Sequence, residues 1–247
     1  MATVTKIEWT EQTWNPVTGC TKISPGCKHC YAETMARRLR AMGAAGYERG
    51  FKLTLQPERL LQPVARKSPT IWFVNSMSDL FHDGIPDAYI DKVFDTIRRT
   101  PKHTYQILTK RAERLPNYFA VRPIPQNVWL GVSVEDRKYG KPRIEYLRKV
   151  QPQIRFLSIE PLLEDLGELN LAGIHWVIVG GESGSKARPM RPEWARRIQL
   201  QCANAGVAYF FKQWGTWGAD GRKRTKHANG RQLDGKIWDQ YPAEASA

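Results

Sequence analysis

The chain has 247 residues, 41% hydrophobic and 25% charged, the balance of a polypeptide that buries a core. It has no run of about 18 apolar residues and no apolar stretch near its N-terminus, which argues against a membrane span and a secretory leader and leads us to expect a cytoplasmic protein. Its 38 Lys and Arg against 24 Asp and Glu leave a net charge of +14, which points to a polyanionic partner such as nucleic acid or, more plainly, to a basic enzyme surface.

In chain order, a weak strand signal around residues 13–15 precedes a cysteine-rich segment. A helix is predicted over 31–42, with Met35, Leu39 and Met42 on one face. A buried strand at 71–74 follows, then a helix over 86–99 that opens on Pro86 and aligns Tyr89, Val93, Phe94 and Ile97. Strands at 105–108 and 128–132 flank a shorter helix at 111–119, interrupted by Pro116. A helix over 141–150 aligns Ile144, Leu147 and Val150, and strands at 154–159 and 176–179 come next. A last helix over 192–205 opens on Pro192, aligns Trp194, Ile198 and Cys202, stops near Gly206 and leads into a strand at 207–211. Short apolar runs rich in β-branched and aromatic residues, alternating with helices, predict an α/β fold of repeated βα units. Such units form a partial or complete TIM-like barrel, or an open doubly wound sheet. Residues 1–214 are expected to be that barrel domain. Residues 215–247, rich in Gly, Lys and Arg without a period, are expected to be a basic, partly mobile C-terminal appendage.

Every strand ends in polar residues: Ser76, Ser78 and Asp79; Lys110 and Arg111; Ser133 and Glu135; Ser158 and Glu160; Gly180, Gly181 and Glu182; Lys212. In βα folds the C-terminal strand ends share one face, and that face carries the active site. Helix capping accounts for one or two of these per loop, but not for Lys110, Arg111, Glu135, Glu160, Glu182 and Lys212 together. The run Gly180-Gly181-Glu182-Ser183-Gly184 is neither a Walker loop nor a dinucleotide fingerprint, yet its glycines would let backbone N–H groups approach a phosphate or nucleotide.

Three of the four cysteines, Cys20, Cys27 and Cys30, lie within eleven residues in the spacing C-x6-C-x2-C, with Pro25-Gly26 supplying a turn between them. This pattern suits metal ligation better than disulfides. A structural zinc would need a fourth ligand from His29, His103 or Cys202. A 4Fe–4S cluster held by three cysteines, with one iron open to a small ligand, is the other reading.

The three-cysteine loop behind a first strand, followed by βα units, resembles the radical S-adenosylmethionine (radical SAM) superfamily. The usual spacing there is C-x3-C-x2-C with an aromatic before the last cysteine; here the first gap is six and His29 stands in the aromatic position. Across residues 5–217 the chain also resembles a phage and prophage family of radical-SAM-like proteins. The stretches that carry this are Thr13-Trp14-Asn15-Pro16, Cys27-Lys28-His29-Cys30-Tyr31-Ala32, Asn75-Ser76-Met77-Ser78-Asp79, Leu108-Thr109-Lys110-Arg111, Gly131-Val132-Ser133-Val134-Glu135, Ser158-Ile159-Glu160-Pro161 and the glycine run. The resemblance implies that Cys20, Cys27 and Cys30 hold a 4Fe–4S cluster and that S-adenosylmethionine (SAM) binds its open iron. It also implies that an external electron donor drives formation of a 5′-deoxyadenosyl radical, in the cytoplasm of a bacterial or phage-infected cell. Ser76, Ser78 or Asp79 would then accept from the SAM amino group, and Lys110 or Arg111 would pair with its carboxylate. Ser133 or Glu135 would meet the ribose, with Glu160, Gly180, Gly181 and Glu182 nearer the adenine or the substrate.

The leading expectation is a radical SAM enzyme acting on nucleic acid or a nucleotide, with Arg222, Lys223, Arg224 and Lys226 near Trp214 and Trp217 as phosphate contacts. The alternative is a non-catalytic nucleic-acid-binding phage protein with a structural zinc or iron–sulfur site. A hydrolase built on the scattered carboxylates is a third, without a recognisable metal-ligand spacing.

Overall fold

Two strands, β4 (Val128–Ser133) and β5 (Ile154–Ile159), are buried at every position, as strands covered on both faces must be. They stand at the centre of a seven-stranded, all-parallel sheet in a computed structural model that describes residues 5 and 7–243. The others are β1 (Gln12–Trp14), β2 (Ile71–Val74), β3 (Thr104–Thr109), β6 (Trp176–Gly180) and β7 (Ala208–Gln213). The strands lie side by side in sequence order. The helices α1 (Tyr31–Ala41), α2 (Asp87–Arg98), α3 (Arg114–Phe119), α4 (Lys141–Arg148) and α5 (Pro192–Ala205) join them, while residues 160–175 link β5 to β6 as turns and extended chain. All five expected helices and all seven expected strands are present.

Crossovers that always step to the next strand place their helices on one face. Ile90 and Val93 of α2, Leu115 of α3, Ile144 and Leu147 of α4, and Ile198 and Cys202 of α5 accordingly share one core cluster with the strands. The opposite face has its own cluster, built by Trp9 and the strand residues Phe73, Trp129, Ile154, Phe156, Trp176, Ile178 and Phe210. The sheet is therefore singly wound, which removes the doubly wound alternative. It is also curled. The Trp9 ring lies 4.7 Å from Phe73 on β2 and 6.2 Å from Trp176 on β6, two strands that a flat sheet would hold about 19 Å apart. The architecture is a partial barrel with an aromatic interior.

Side chains along a strand return to the same face every second residue. From Phe73 the inner face runs to Asn75, from Leu108 to Lys110, from Phe156 through Ser158 to Glu160, and from Phe210 to Lys212. The interior thus changes from a ring of apolar side chains to a ring of polar ones at the C-terminal ends of the strands.

The C-terminal segment covers one edge of the partial barrel. Phe211 N–H donates to Trp238 O (2.8 Å) and Gln240 N–H to Tyr209 O (3.3 Å), so residues 238–240 run antiparallel along the free edge of β7. Tyr241 then stacks on Trp176 at 5.0 Å, its hydroxyl donates to Glu8 O at 3.5 Å, and Lys226 pairs with Glu8 at 2.6 Å.

One helix face differs from expectation. In α1 the packed side chains are Ala32 and Ala36, while Met35 and Met42 are 42% and 79% exposed. The small residues let α1 approach Tyr47 and Met77 closely, and that turns its larger side chains outward. No described helix is long and apolar enough to cross a membrane.

Candidate functional site

The cysteine segment is set in place by two backbone devices. Asn75 leaves β2 with φ of 59°, a left-handed conformation that Asn tolerates, and its Oδ1 accepts from Val17 N–H at 3.3 Å. Val17–Thr18 then pairs antiparallel with Thr54–Leu55. Gly19 has φ of 79° and lies so close to the 51–52 backbone that a Cβ would sit 2.2 Å from Lys52 O, so glycine is required there. Cys20 N–H donates to Phe51 O at 3.2 Å, and the loop from Cys20 to Cys30 lies over the C-terminal ends of the strands.

Four side chains from four different strand-end loops hold that loop. After β3, Arg111 donates to Cys20 Sγ (3.5 Å), Thr21 O (3.1 Å) and Thr21 Oγ1 (2.9 Å). After β2, His82 Nε2 lies 2.9 Å from Thr21 Oγ1. After β4, Glu135 accepts from the Ser24 hydroxyl, and the loop passes so near that a Cβ on Gly26 would meet Glu135 Oε1 at 2.6 Å. After β6, Arg188 Nη2 donates to Pro25 O at 3.0 Å.

These braces are themselves held. Asp79 accepts from Thr109 Oγ1 (2.7 Å), Phe81 N–H (3.0 Å), Lys110 N–H (3.0 Å) and Arg111 Nη1 (3.3 Å), so both of its oxygens are engaged. Glu135 has no exposed side-chain surface; Arg143 Nη1 donates to it at 2.6 Å and Lys110 Nζ stands 3.9 Å away. Burial alone would push the Glu135 carboxyl up, but Lys110, Arg143 and the Ser24 hydroxyl outweigh it and hold it below the ordinary range. Glu182 accepts from the Arg188 backbone (2.8 Å) and from Nε (2.9 Å) and Nη2 (2.5 Å) of its guanidinium. Burial, then the charge of Asp79, pushes the Cys20 thiol up to about 11 against the opposing pull of Arg111.

The structure therefore divides the expected site residues into two groups. Asp79, Arg111, Glu135 and Glu182 are internally bonded and support the loop. Glu135, expected to meet a ribose, is instead a buried brace, because Ser24 and Arg143 take its two oxygens. The second group lines the mouth. Lys110 is half-buried, its Nζ at the outer limit of an ion pair with Glu135; Ser76 donates to Asn15 Oδ1 at 3.2 Å; Ser78 Oγ is buried without a partner; Ser133 and Ser158 sit opposite each other across β4 and β5. Glu160 accepts twice from Lys212 Nζ at 2.9 Å and once from Gln213 Nε2 at 3.1 Å. Gly180 and Gly181 lie behind this pair: a Cβ on Gly180 would meet Glu160 at 3.2 Å, and one on Gly181 would meet Trp214 O at 2.0 Å. They make room for side chain and backbone of this chain.

Sequence reasoning missed Ser24, Arg143, Arg188 and Tyr31. The partners of the first are distant in sequence, and a basic residue inside a helix or loop gives no sign that it is buried. Tyr31, directly after Cys30, donates its hydroxyl to Ser76 O; burial of that end, with Cys30 and Glu160 nearby, pushes its pKa up while the side of the ring remains open.

All four cysteines are free thiols. Cys20, Cys27 and Cys30 are half-buried at the mouth, whereas Cys202 is buried in α5 and its thiol is pushed up to about 12 by burial. His103 lies at the opposite end of the barrel, before β3, with Nε2 3.1 Å from Pro63 O. Two of the three fourth ligands that a zinc site would need are thus out of reach of the loop. Among the described residues no group of three or more His, Cys, Asp or Glu is arranged to hold a single metal ion.

Solved structures similar to this chain include a spore photoproduct lyase mutant with bound AdoMet and dinucleoside spore photoproduct. It is 13% identical, with a TM-score of 0.44, and the match covers 81% of this chain and 63% of that one. A second lyase mutant is 12% identical with a TM-score of 0.46 and the same coverage. This chain thus spans under two thirds of those proteins. No protein of curated function matches the sequence. The family model described as "protein of unknown function (DUF5131)" matches residues 4–242, and the chain belongs to that family.

Proposed function

We propose that this protein is a cytoplasmic radical SAM enzyme whose substrate is a nucleic acid or nucleotide. The observation that carries the reading is the braced loop: three free thiols held by four side chains over the polar mouth of a partial barrel. Thiolates are the ligands of iron–sulfur clusters. Three free thiols on one loop, with Cys202 buried in α5 and His103 at the other end of the barrel, favour a 4Fe–4S group on Cys20, Cys27 and Cys30. When bound, that group supplies one electron from an external donor to SAM, giving methionine and a 5′-deoxyadenosyl radical that takes hydrogen from the substrate.

The chain's own part is binding, orientation and exclusion of water. Lys110, a half-buried cation after β3 held only loosely by Glu135 at 3.9 Å, pairs with the SAM carboxylate. The Ser76 and Ser78 hydroxyls accept from its amino group. Ser133, Ser158 and the Glu160–Lys212 pair meet the ribose and adenine, above the dry floor of Leu108, Phe156, Ile178 and Phe210. Asp79, Arg111, Glu135 and Glu182 keep the loop at its height. The test is anaerobic reconstitution with iron and sulfide, followed by calorimetry with SAM and product analysis with dithionite. Methionine and 5′-deoxyadenosine are expected; reconstituted protein that neither binds nor cleaves SAM would refute the reading.

A further inference from the structure

Positive charge is not spread evenly over this chain. Residues 20–52 hold seven Lys and Arg against two Glu, while residues 215–247 hold six against four acids. In the C-terminal segment all six cations have a partner within the protein. Arg222 and Arg224 pair with Asp220, and Lys226 with Glu8. Lys223, Arg231 and Lys236 lie over the rings of Trp217, Phe210 and Trp238. Around the cysteine loop the reverse holds. Lys22 and Arg37 share Glu33, but Lys28, Arg38, Arg40, Arg49 and Lys52 are exposed and make no ion pair among the described residues. Arg40 lies against the 49–52 segment, its stem packing beside Gly50, and Cys20 N–H donates to Phe51 O in the same segment.

Among these cations runs a line of large side chains. Tyr31, Met35 and Arg38 recur at i, i+4 and i+7, one stripe of α1, and Met42 caps the end of the helix, with Tyr31 57% exposed. The Tyr31 hydroxyl is tied to Ser76 O, which fixes the ring at the mouth with its open side outward. Unpaired cations flanking an open aromatic ring are the two components of single-stranded nucleic-acid recognition: the cations neutralise phosphates and the ring stacks a base.

We propose that the outer face of α1 with the adjoining 49–52 segment, rather than the basic C-terminal segment, binds single-stranded nucleic acid, and that Tyr31 stacks one unpaired base beside the cysteine loop. The inference rests on the proposed reading for its substrate class. An anionic membrane or an acidic protein would meet the same charges but has no use for a fixed aromatic ring at the mouth.

The test uses the full chain, reconstituted and apo, with fluorescent 15-nucleotide DNA and RNA single strands titrated at several salt concentrations. Replacing Arg38, Arg40, Arg49 and Lys52 by Gln is expected to lower the slope of log affinity against log salt by about 0.7 for each phosphate no longer neutralised, whereas Arg222→Gln with Lys223→Gln leaves it unchanged. Tyr31→Leu is expected to weaken binding about tenfold or more, and Tyr31→Phe, which keeps the ring but loses its tie to Ser76, to weaken it less. All of these positions are exposed, and thermal melts check that the variants fold. A reduced slope in the C-terminal variant instead, equal binding by Tyr31→Leu, or binding to phosphatidylserine vesicles without binding to either strand would each overturn the proposal. SAM binding, measured on the same preparations, separates the two readings. SAM bound without nucleic acid defeats this surface alone; nucleic acid bound as described without SAM defeats the radical SAM reading alone.

Discussion

The hydroxyl of Ser24, in the middle of the cysteine loop, donates to the carboxylate of Glu135, a wholly buried residue just past the end of β4. One polar contact thus ties the half-buried cysteine loop to a charge with no exposed surface.

Removing that charge is expected to do two things at once. Glu135→Ala leaves Arg143 buried and unpaired, which should cost about 3–5 kcal/mol in urea denaturation. It also frees the loop, so iron content after reconstitution should fall. Ser24→Ala, which removes only the hydroxyl, should cost about 1–2 kcal/mol and reduce iron less. Full iron loading of Glu135→Ala would show that the loop needs no such brace.

Each of Cys20→Ala, Cys27→Ala and Cys30→Ala should abolish iron retention in anaerobically reconstituted protein, against about four irons per wild-type chain. Cys202→Ala should leave iron content unchanged and affect only stability, because that thiol is a core residue of α5. Iron that depends on Cys202 would place the metal elsewhere.

The legible part of this protein was its period. Runs such as residues 128–133 and 154–159 bury both faces and so read as apolar strands, and Pro192 and Gly206 bracket α5 in the sequence as in the structure. The location of the polar residues at the strand ends was equally visible. Their roles were not. Asp79 and Arg111 look like ligands in a sequence, but the register of β2 beside β3 turns them toward each other. In α1 the pattern favoured the larger side chains, whereas close packing against Tyr47 and Met77 selected the alanines. The cations of the C-terminal segment read as a free basic tail because nothing in the sequence marks their partners: Asp220, Trp217 and Trp238 within the segment, Glu8 and Phe210 outside it.

Glu182 gives a pH dependence with a defined sign. Burial would raise its carboxyl, but the Arg188 bonds outweigh that and hold it below its ordinary value. A depressed folded value means that the contribution is fully present above the unfolded value, about 4.3, and is lost as pH falls through the folded one. Denaturation between about pH 6 and pH 3 should show a steeper loss for the wild type than for Glu182→Gln, although the variant is the less stable at neutral pH. Equal slopes would remove Glu182 as a contributor.

Shortening the chain after Ile237 should destabilise the barrel itself. It removes the backbone partners of Tyr209 and Phe211 and the ring stacked on Trp176. Uncovering a strand edge also invites pairing between chains, so the truncated protein should aggregate at concentrations where the full chain does not. Tyr241→Ala alone should cost about 1–2 kcal/mol, from the missing ring and the area it covers. A truncated form with unchanged melting temperature and solubility would contradict this.

The Arg188 contact to Pro25 spans 163 residues, which gives the cysteine loop a history as well as a geometry. At a synthesis rate of about 5–20 residues per second, the three thiols leave the ribosome roughly 10–30 s before their last brace exists. Through that interval they hang from a nascent chain with nothing to hold their spacing and nothing to shield them from oxidants. On the proposed reading, delivery of iron and sulfide would be tied to the completion of translation: a carrier that acts early would meet a floppy trio of sulfurs, and one that acts late a finished socket.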